Sequence, residues 1–219
     1  MSSPAIFLDR DGTLVHPRHY PSQPDDLILY DGIGPELAAL QMAGFRLVVV
    51  TNQSGIARGF FTETDLARMH DHLAFQLARF TVRIDGIYFC PHHPDGVVAP
   101  FATHCSCRKP RSGMVTAAAR ELDLDPRRSW FVGDILDDVE AGNRAGCRSI
   151  LVDLGTEPEP TEQLRVPTFV GRTTLDALRI VAAVEGVGPA TGLTYRPPRW
   201  RADLAPSIVD HATFAESRS

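Results

Sequence analysis

The sequence predicts an α/β fold built on a doubly wound parallel sheet, and three features lead to that expectation. Short apolar runs recur along the chain, as in Ile6-Phe7-Leu8, Leu47-Val48-Val49-Val50 and Trp130-Phe131-Val132. Segments with a helical apolar stripe alternate with them, the pattern of strands joined by right-handed crossovers. Each of those three runs ends in polar residues, at Asp9, at Thr51-Asn52 and at Gly133-Asp134. In such sheets ligands bind beyond the carboxyl ends of the strands. With 219 residues and 43% hydrophobic content, the chain can bury one good core, and residues 1–186 read as one domain.

The first strand enters Asp9-Arg10-Asp11-Gly12-Thr13. Side chains two apart share a face, so Asp9 and Asp11 leave the strand on the same side, and Gly12 permits a sharp exit. Two close carboxylates repel unless a cation or a proton lies between them, which points to a divalent metal and to acid/base or nucleophilic work. The plain alternative is a strand followed by an ordinary Asp-Gly turn.

His16 to Asp31 carries Pro17, Pro21 and Pro24 and reads as a loop. Gly34-Pro35-Glu36 opens a helix that Gly44 closes, and Arg46 to Thr51 is a β-branched strand of the doubly covered kind. A helix from Thr62, with Asp65 in the capping-box position, to Arg79 presents Leu66, Met69, Leu73 and Leu77. His70 and His72 on it read as surface or packing residues. Asp85 to Phe89 is a third strand, and Cys90 to Lys109 is a long insertion without helix or strand period.

Ser112 to Leu122 is a helix, Trp130 to Asp134 a fourth strand, and Val139 to Ala145 a short helix. Cys147 to Val152 follows as a fifth strand, with Cys147 read as a small core residue. Thr168 to Val170 is a short edge strand and Leu175 to Val184 a last helix. From 187 to 219 periodicity fades, and this segment, with Trp200 between arginines, reads as a partly ordered or disordered extension.

The formal net charge of −5 leaves no basic footprint for nucleic acid, and no apolar run approaches the roughly 20 residues that span a bilayer. The first residues lack the pattern of a signal peptide, so a cytoplasmic monomer acting on a small molecule is the expectation. Three of the four cysteines cluster with histidines, which favours metal over disulfide. Cys90-x-His92 and Cys105-x-Cys107 offer three thiolates and an imidazole, a set that suits structural, tetrahedral Zn2+ with no open position. His93 and His104 are alternative imidazoles. At the strand ends, Asp9 and Asp134 can ligate a hard cation such as Mg2+, while Thr51 and Lys109 can hold a phosphate.

Asp9-x-Asp11-Gly12-Thr13, Thr51, Lys109 and Gly133-Asp134-x3-Asp138 resemble the four motifs of the haloacid dehalogenase-like phosphohydrolases, over roughly Ile6 to Val184. Within that superfamily Thr51 to Gly59, Cys90-Pro91-His92-His93-Pro94 and Cys105 to Pro110 are similar to the branch of heptose-bisphosphate and histidinol-phosphate phosphatases. The resemblance implies a haloacid dehalogenase-like Rossmannoid sheet with no large cap domain and a zinc-stapled loop. It implies a Mg2+-dependent phosphatase that removes the primary phosphate of a heptose bisphosphate, in the supply of activated heptose for cell-surface glycans. Asp9 would be the nucleophile and Asp11 the general acid and base. The Mg2+ ligands would be Asp9, the backbone carbonyl of Asp11 and Asp134, with Asp138 orienting them. The family pattern favours His92 over its neighbours as the fourth zinc ligand. Arg18, His19, Tyr20, Asn52, Gln53, Ser54, Arg108 and Lys109 would contact phosphate or sugar.

Two positions depart from the family pattern, Val15 where Asn is frequent and Ile135 where Lys or Arg is frequent, and they leave the sugar open. Histidinol phosphate is the alternative substrate. A catalytically silent, zinc-stabilised binding module is the reading from a different class, against which the retained Asp9 and Asp11 pair argues.

Overall fold

In the computed structural model, which describes residues 2–187, six strands form one sheet in the order β3-β2-β1-β4-β5-β6. The strands are β1 (Ala5–Leu8), β2 (Arg46–Asn52), β3 (Gly86–Cys90), β4 (Trp130–Gly133), β5 (Arg148–Val152) and β6 (Phe169–Gly171). Every pairing is parallel. The helices are α1 (Ile33–Met42), α2 (Glu63–Ala78), α3 (Gly113–Glu121), α4 (Leu136–Ala145) and α5 (Thr174–Val184).

The period-2 alternation of the strands sorts side chains into two cores. Ile6 and Leu8 of β1 join Leu47, Val49, Trp130 and Val132 under the apolar stripes of α1, α2 and α5. Ala5 and Phe7 join Val48, Val50 and Phe131 under Met114, Val115 and Ala118 of α3 and Ala141 of α4. All four side chains of β1 are fully buried, as a central strand covered on both faces requires. From β1 the chain winds outward through β2 and β3, then returns to lay β4, β5 and β6 on the other side. The reversal falls between β1 and β4, so the crevice of the sheet opens at their carboxyl ends.

Most elements lie where the sequence places them, and the differences have local causes. Helix α2 starts at the expected capping box: Asp65 N–H donates to Thr62 Oγ1 at 3.1 Å, and Asp65 Oδ2 accepts from Thr62 N–H at 2.9 Å. Helix α4 begins at Leu136, ahead of the expected Val139. Asp138 accepts the Ile135 N–H at 3.3 Å and Glu157 accepts that of Leu136 at 2.8 Å, so the first turn is satisfied by side chains the apolar pattern does not show. The His16 to Asp31 loop is more ordered than its prolines suggest. Its return limb pairs with the segment after β1, through His16 N–H to Ile28 O at 2.9 Å and Tyr30 N–H to Leu14 O at 3.1 Å. Thr174 Oγ1 at the start of α5 donates to Thr13 O at 2.6 Å and ties that same turn to the far helix. Residues 91–112 carry no helix or strand. Trp200 and the rest of the expected extension beyond Val187 lie outside the described residues.

Candidate active site

Asp9 follows β1 directly, and its N–H continues the ladder to Val132 O at 3.0 Å, which fixes the backbone of the first carboxylate to the neighbouring strand. The chain then turns within a few residues, with Leu14 and Val15 N–H groups donating to Arg10 O at 2.9 and 3.0 Å. Gly12 sits in this turn at φ +87°, and a Cβ there would lie 2.2 Å from Asp134 Oδ2. Only glycine allows both that conformation and that approach.

The turn brings Asp9 beside Asp134, at the end of β4, and beside Asp138, in the first turn of α4. One carboxylate oxygen from each of the three lies within 4.8 Å of the others, and all three residues are buried. A single ammonium faces them: Lys109 Nζ meets Asp9 Oδ1 and Asp138 Oδ1, each at 2.5 Å, and donates to Val50 O at 3.0 Å. Burial, with Asp138 and Asp11 adding to it against Lys109, pushes the Asp9 carboxyl up to about 7. Burial, then Asp9 and Asp138, pushes Asp134 up to about 8. Burial works against the charge of Lys109, but Asp138 and Asp9 outweigh it and hold the ammonium above its usual range.

Three buried carboxylates against one cation make a set that fits a hard divalent ion. Asp138 spends one oxygen on Lys109 and the other on the Ile135 N–H, whereas Asp134 accepts from Thr13 Oγ1 at 3.2 Å through Oδ1 alone. Asp9 and Asp134 are therefore the side chains with an oxygen free for the ion.

The carboxyl end of β2 closes the other side. Thr51 Oγ1 accepts from Gln53 Nε2 at 2.8 Å, which leaves its own hydroxyl hydrogen free to donate. Asn52 exchanges two bonds with the backbone of Lys109, Nδ2 to Lys109 O at 3.2 Å and Lys109 N–H to Oδ1 at 3.0 Å, so it fastens the end of the long loop to the sheet. A cavity of about 260 Å3 opens outward from Asp11, with Arg18, His19, Tyr20, Asn52, Gln53 and Ser54 among its lining residues. Arg18 is half-exposed and paired with Asp26 at 3.1 Å, and Tyr20 packs its ring between His19 and Phe60, each 4.6 Å away. Arg108 lies outside this lining and donates from Nη1 to His92 O at 3.4 Å. Val15 is fully buried in the core, so the departure there lies away from the cavity, and Ile135 supplies the N-cap of α4.

Cys90 ends β3 and meets three ligating atoms from the loop. Its Sγ lies 3.6 Å from His92 Nδ1, 3.5 Å from Cys105 Sγ and 3.2 Å from Cys107 Sγ. Cys107 Sγ lies 3.2 Å from Cys105 Sγ and 3.4 Å from His92 Nδ1. The sulfurs are unbonded to one another, and the four ligand atoms have the mutual spacing that a tetrahedral ion fits. His93 instead faces Arg58 at 3.2 Å, and His104 is exposed outside the group.

Two residues of the site carry no sequence signal of their own. Arg10, between the carboxylates, is fully buried and donates to Asp11 Oδ2, and His70 of α2 faces it at 3.4 Å. His70 was expected to be a surface or packing residue; it is buried, but against a guanidinium. For Arg10 the one hint is the parity of the strand, which turns it inward when Asp9 and Asp11 share a face; for His70, on α2, nothing in the sequence hints at that partner.

The chain is 49% identical over 155 residues to a D-glycero-beta-D-manno-heptose-1,7-bisphosphate 7-phosphatase of Yersinia pestis, covering 70% of this chain and 82% of that one. The Escherichia coli K12 protein of the same description is 44% identical over 160 residues, covering 73% and 84%. This chain is a haloacid dehalogenase-like phosphatase. The family model described as HAD-hydrolase-like matches residues 106–177. A crystal structure of D,D-heptose 1,7-bisphosphate phosphatase from B. bronchiseptica, complexed with magnesium and phosphate, superposes with a TM-score of 0.67 at 32% identity, covering 81% of this chain and 97% of that one. As a phosphatase of this family the chain is a phosphoric monoester hydrolase. Among the described residues, no helix is long and apolar enough to cross a membrane.

Proposed function

We propose that this phosphatase removes the 7-phosphate of D-glycero-D-manno-heptose 1,7-bisphosphate through an aspartyl-phosphate intermediate. The observation that carries the reading is the 49% identity to a relative of that description. The open, polar cavity beside Asp11 accords with a small hydrophilic substrate. Asp9, aligned by the β4 ladder, attacks phosphorus while the bond to the sugar oxygen breaks, and Asp11 gives that oxygen a proton. Asp11 then takes a proton from the water that displaces the phosphoryl group from Asp9, so one difficult displacement becomes two easier ones. The free hydroxyl hydrogen of Thr51 and the ammonium of Lys109 hold the phosphoryl oxygens.

Asp9, Asp134 and the backbone carbonyl of Asp11 are the groups that would hold Mg2+, which when bound supplies positive charge between the nucleophile and the anionic phosphate. Cys90, His92, Cys105 and Cys107 would hold a structural Zn2+, and the bound loop would keep Arg108 and Lys109 at the edge of the site.

Phosphate release in the presence of Mg2+ from both anomers of the heptose bisphosphate and from histidinol phosphate tests this reading, with Asp9→Asn as control. The expected result is turnover of one heptose anomer that Asp9→Asn lowers by at least about 10,000-fold, since no other group replaces the nucleophile. Turnover of histidinol phosphate alone would overturn the substrate, and turnover that survives Asp9→Asn would overturn the mechanism.

A further inference from the structure

Arg10 is 0% exposed, and a guanidinium removed from water must find partners or destabilise the fold. Its Nε and Nη2 donate to Asp11 Oδ2 at 3.1 and 2.8 Å, and Nη2 also donates to Gln53 Oε1 at 3.0 Å. Gln53, 4% exposed, donates from Nε2 to the same Asp11 Oδ2 at 3.0 Å and to Thr51 Oγ1 at 2.8 Å. Its amide is engaged by Arg10, Asp11 and Thr51, and Gln53 also lines the cavity, where the family resemblance implies a substrate contact. Nη1 of Arg10 faces His70 Nε2 at 3.4 Å. Arginine has no acceptor, so this nitrogen of His70 accepts and the imidazole is neutral with its proton on Nδ1. Burial, then the charge of Arg10, holds the His70 pKa down to about 3.

Three N–H bonds thus converge on one oxygen of Asp11. An oxygen crowded by donors is a poor place for a proton. The other oxygen, Oδ1, is buried and has no hydrogen-bond partner. We infer that Arg10, Gln53 and His70 are positioning residues that commit Asp11 Oδ1 to proton transfer, and that Gln53 also turns the Thr51 hydroxyl hydrogen toward the phosphate. As the phosphorus–oxygen ester bond breaks and the bond to Asp9 forms, the proton passes from Oδ1 to the departing sugar oxygen. In the second step a proton from water returns to Oδ1 as the water oxygen bonds to phosphorus and the Asp9 oxygen leaves.

The inference rests on the reading of Asp11 as proton donor, and leaving-group dependence separates the two. An alkoxide needs a proton to leave and a nitrophenolate does not, while kcat/KM reports the steps through departure of the leaving group. The experiment compares the heptose bisphosphate with p-nitrophenyl phosphate, in Mg2+, for Asp11→Asn, Arg10→Met, His70→Phe and His70→Gln. Asp11→Asn and Arg10→Met should lose roughly 100-fold or more in kcat/KM on the sugar ester and far less on the aryl ester. His70→Phe, which keeps an apolar ring in α2 should Arg10→Met fail to fold, should lose about tenfold with the same bias. His70→Gln, which again offers Arg10 an acceptor, should recover most of that loss. Discrimination by Asp11→Asn, with equal losses on both esters or none in the Arg10 and His70 variants, would overturn the inference. Absence of discrimination in Asp11→Asn itself would overturn the proton-donor reading beneath it.

Discussion

Gly12 concentrates the demands of the site in one residue. It stands at φ +87°, and its missing Cβ leaves room for the carboxylate of Asp134, whose nearest oxygen would otherwise lie 2.2 Å away. Alanine would incur about 1–2 kcal/mol for the left-handed conformation and would also displace Asp134 or the turn that carries Asp11. Because a misplacement of about 1 Å can lower a rate by about 100-fold, Gly12→Ala should lose activity of that order while remaining folded. Circular dichroism and kcat/KM measured together check this, and wild-type activity in the folded variant would contradict the close packing. Asp9, Asp11 and Asp134 stand out in the sequence because Asp9 directly follows an apolar run, Asp11 shares its face two residues on, and Asp134 closes the Trp130 to Gly133 run. Arg10 and His70 do not, because their role depends on which interior groups meet across β1 and α2, and a one-dimensional pattern does not contain that distance.

At the scale of elements, the strand ends and the long loop share the work. The order of strands and helices followed from alternating periodicities, and so did the meeting of three strand ends, since a parallel sheet puts all carboxyl ends on one edge. The loop was legible only through its cysteines and histidine. Its course depends on bonds without a periodic signature, such as the exchange between Asn52 and the backbone of Lys109 and the N–H groups of Val97 and Val98 donating to Ala57 O at 2.7 and 2.9 Å. The return limb of the His16 to Asp31 segment escaped for the same reason. These bonds also bear on loss of the proposed Zn2+ site. Lys109 stays clipped to β2 by Asn52 and paired with Asp9 and Asp138, while Arg108, whose guanidinium donates to His92 O and whose N–H donates to Cys105 Sγ at 3.4 Å, loses both of those anchors. Cys105→Ser should therefore lower kcat/KM by at least about tenfold without abolishing turnover or the far-ultraviolet signature of the sheet. Complete loss of the sheet signal would instead mean that the loop holds the whole domain together.

Across the whole molecule, the network behind the site joins one flank to the centre: His70 brings α2 onto Arg10, which stands at the end of the central strand. That link makes stability depend on pH. His70 has an ordinary value of 6.5 but is held down to about 3 in the fold, by burial first and by Arg10 second. Between those values the unfolded chain takes up a proton that the folded chain refuses, so the contribution of His70 is complete above pH 6.5 and is lost as the pH falls toward 3. At about pH 5 the loss amounts to about 2 kcal/mol, a large share of the stability of an ordinary domain. Urea unfolding followed from pH 7 to pH 5 should show wild-type stability falling more steeply than that of His70→Gln, which cannot titrate. Asp9 and Asp134, raised to about 7 and about 8, are present in both proteins, so the difference between the two slopes isolates the histidine. Parallel slopes would mean that His70 is protonated in the folded protein, and then its Nε2 could not accept from Arg10 and the buried guanidinium would need another partner.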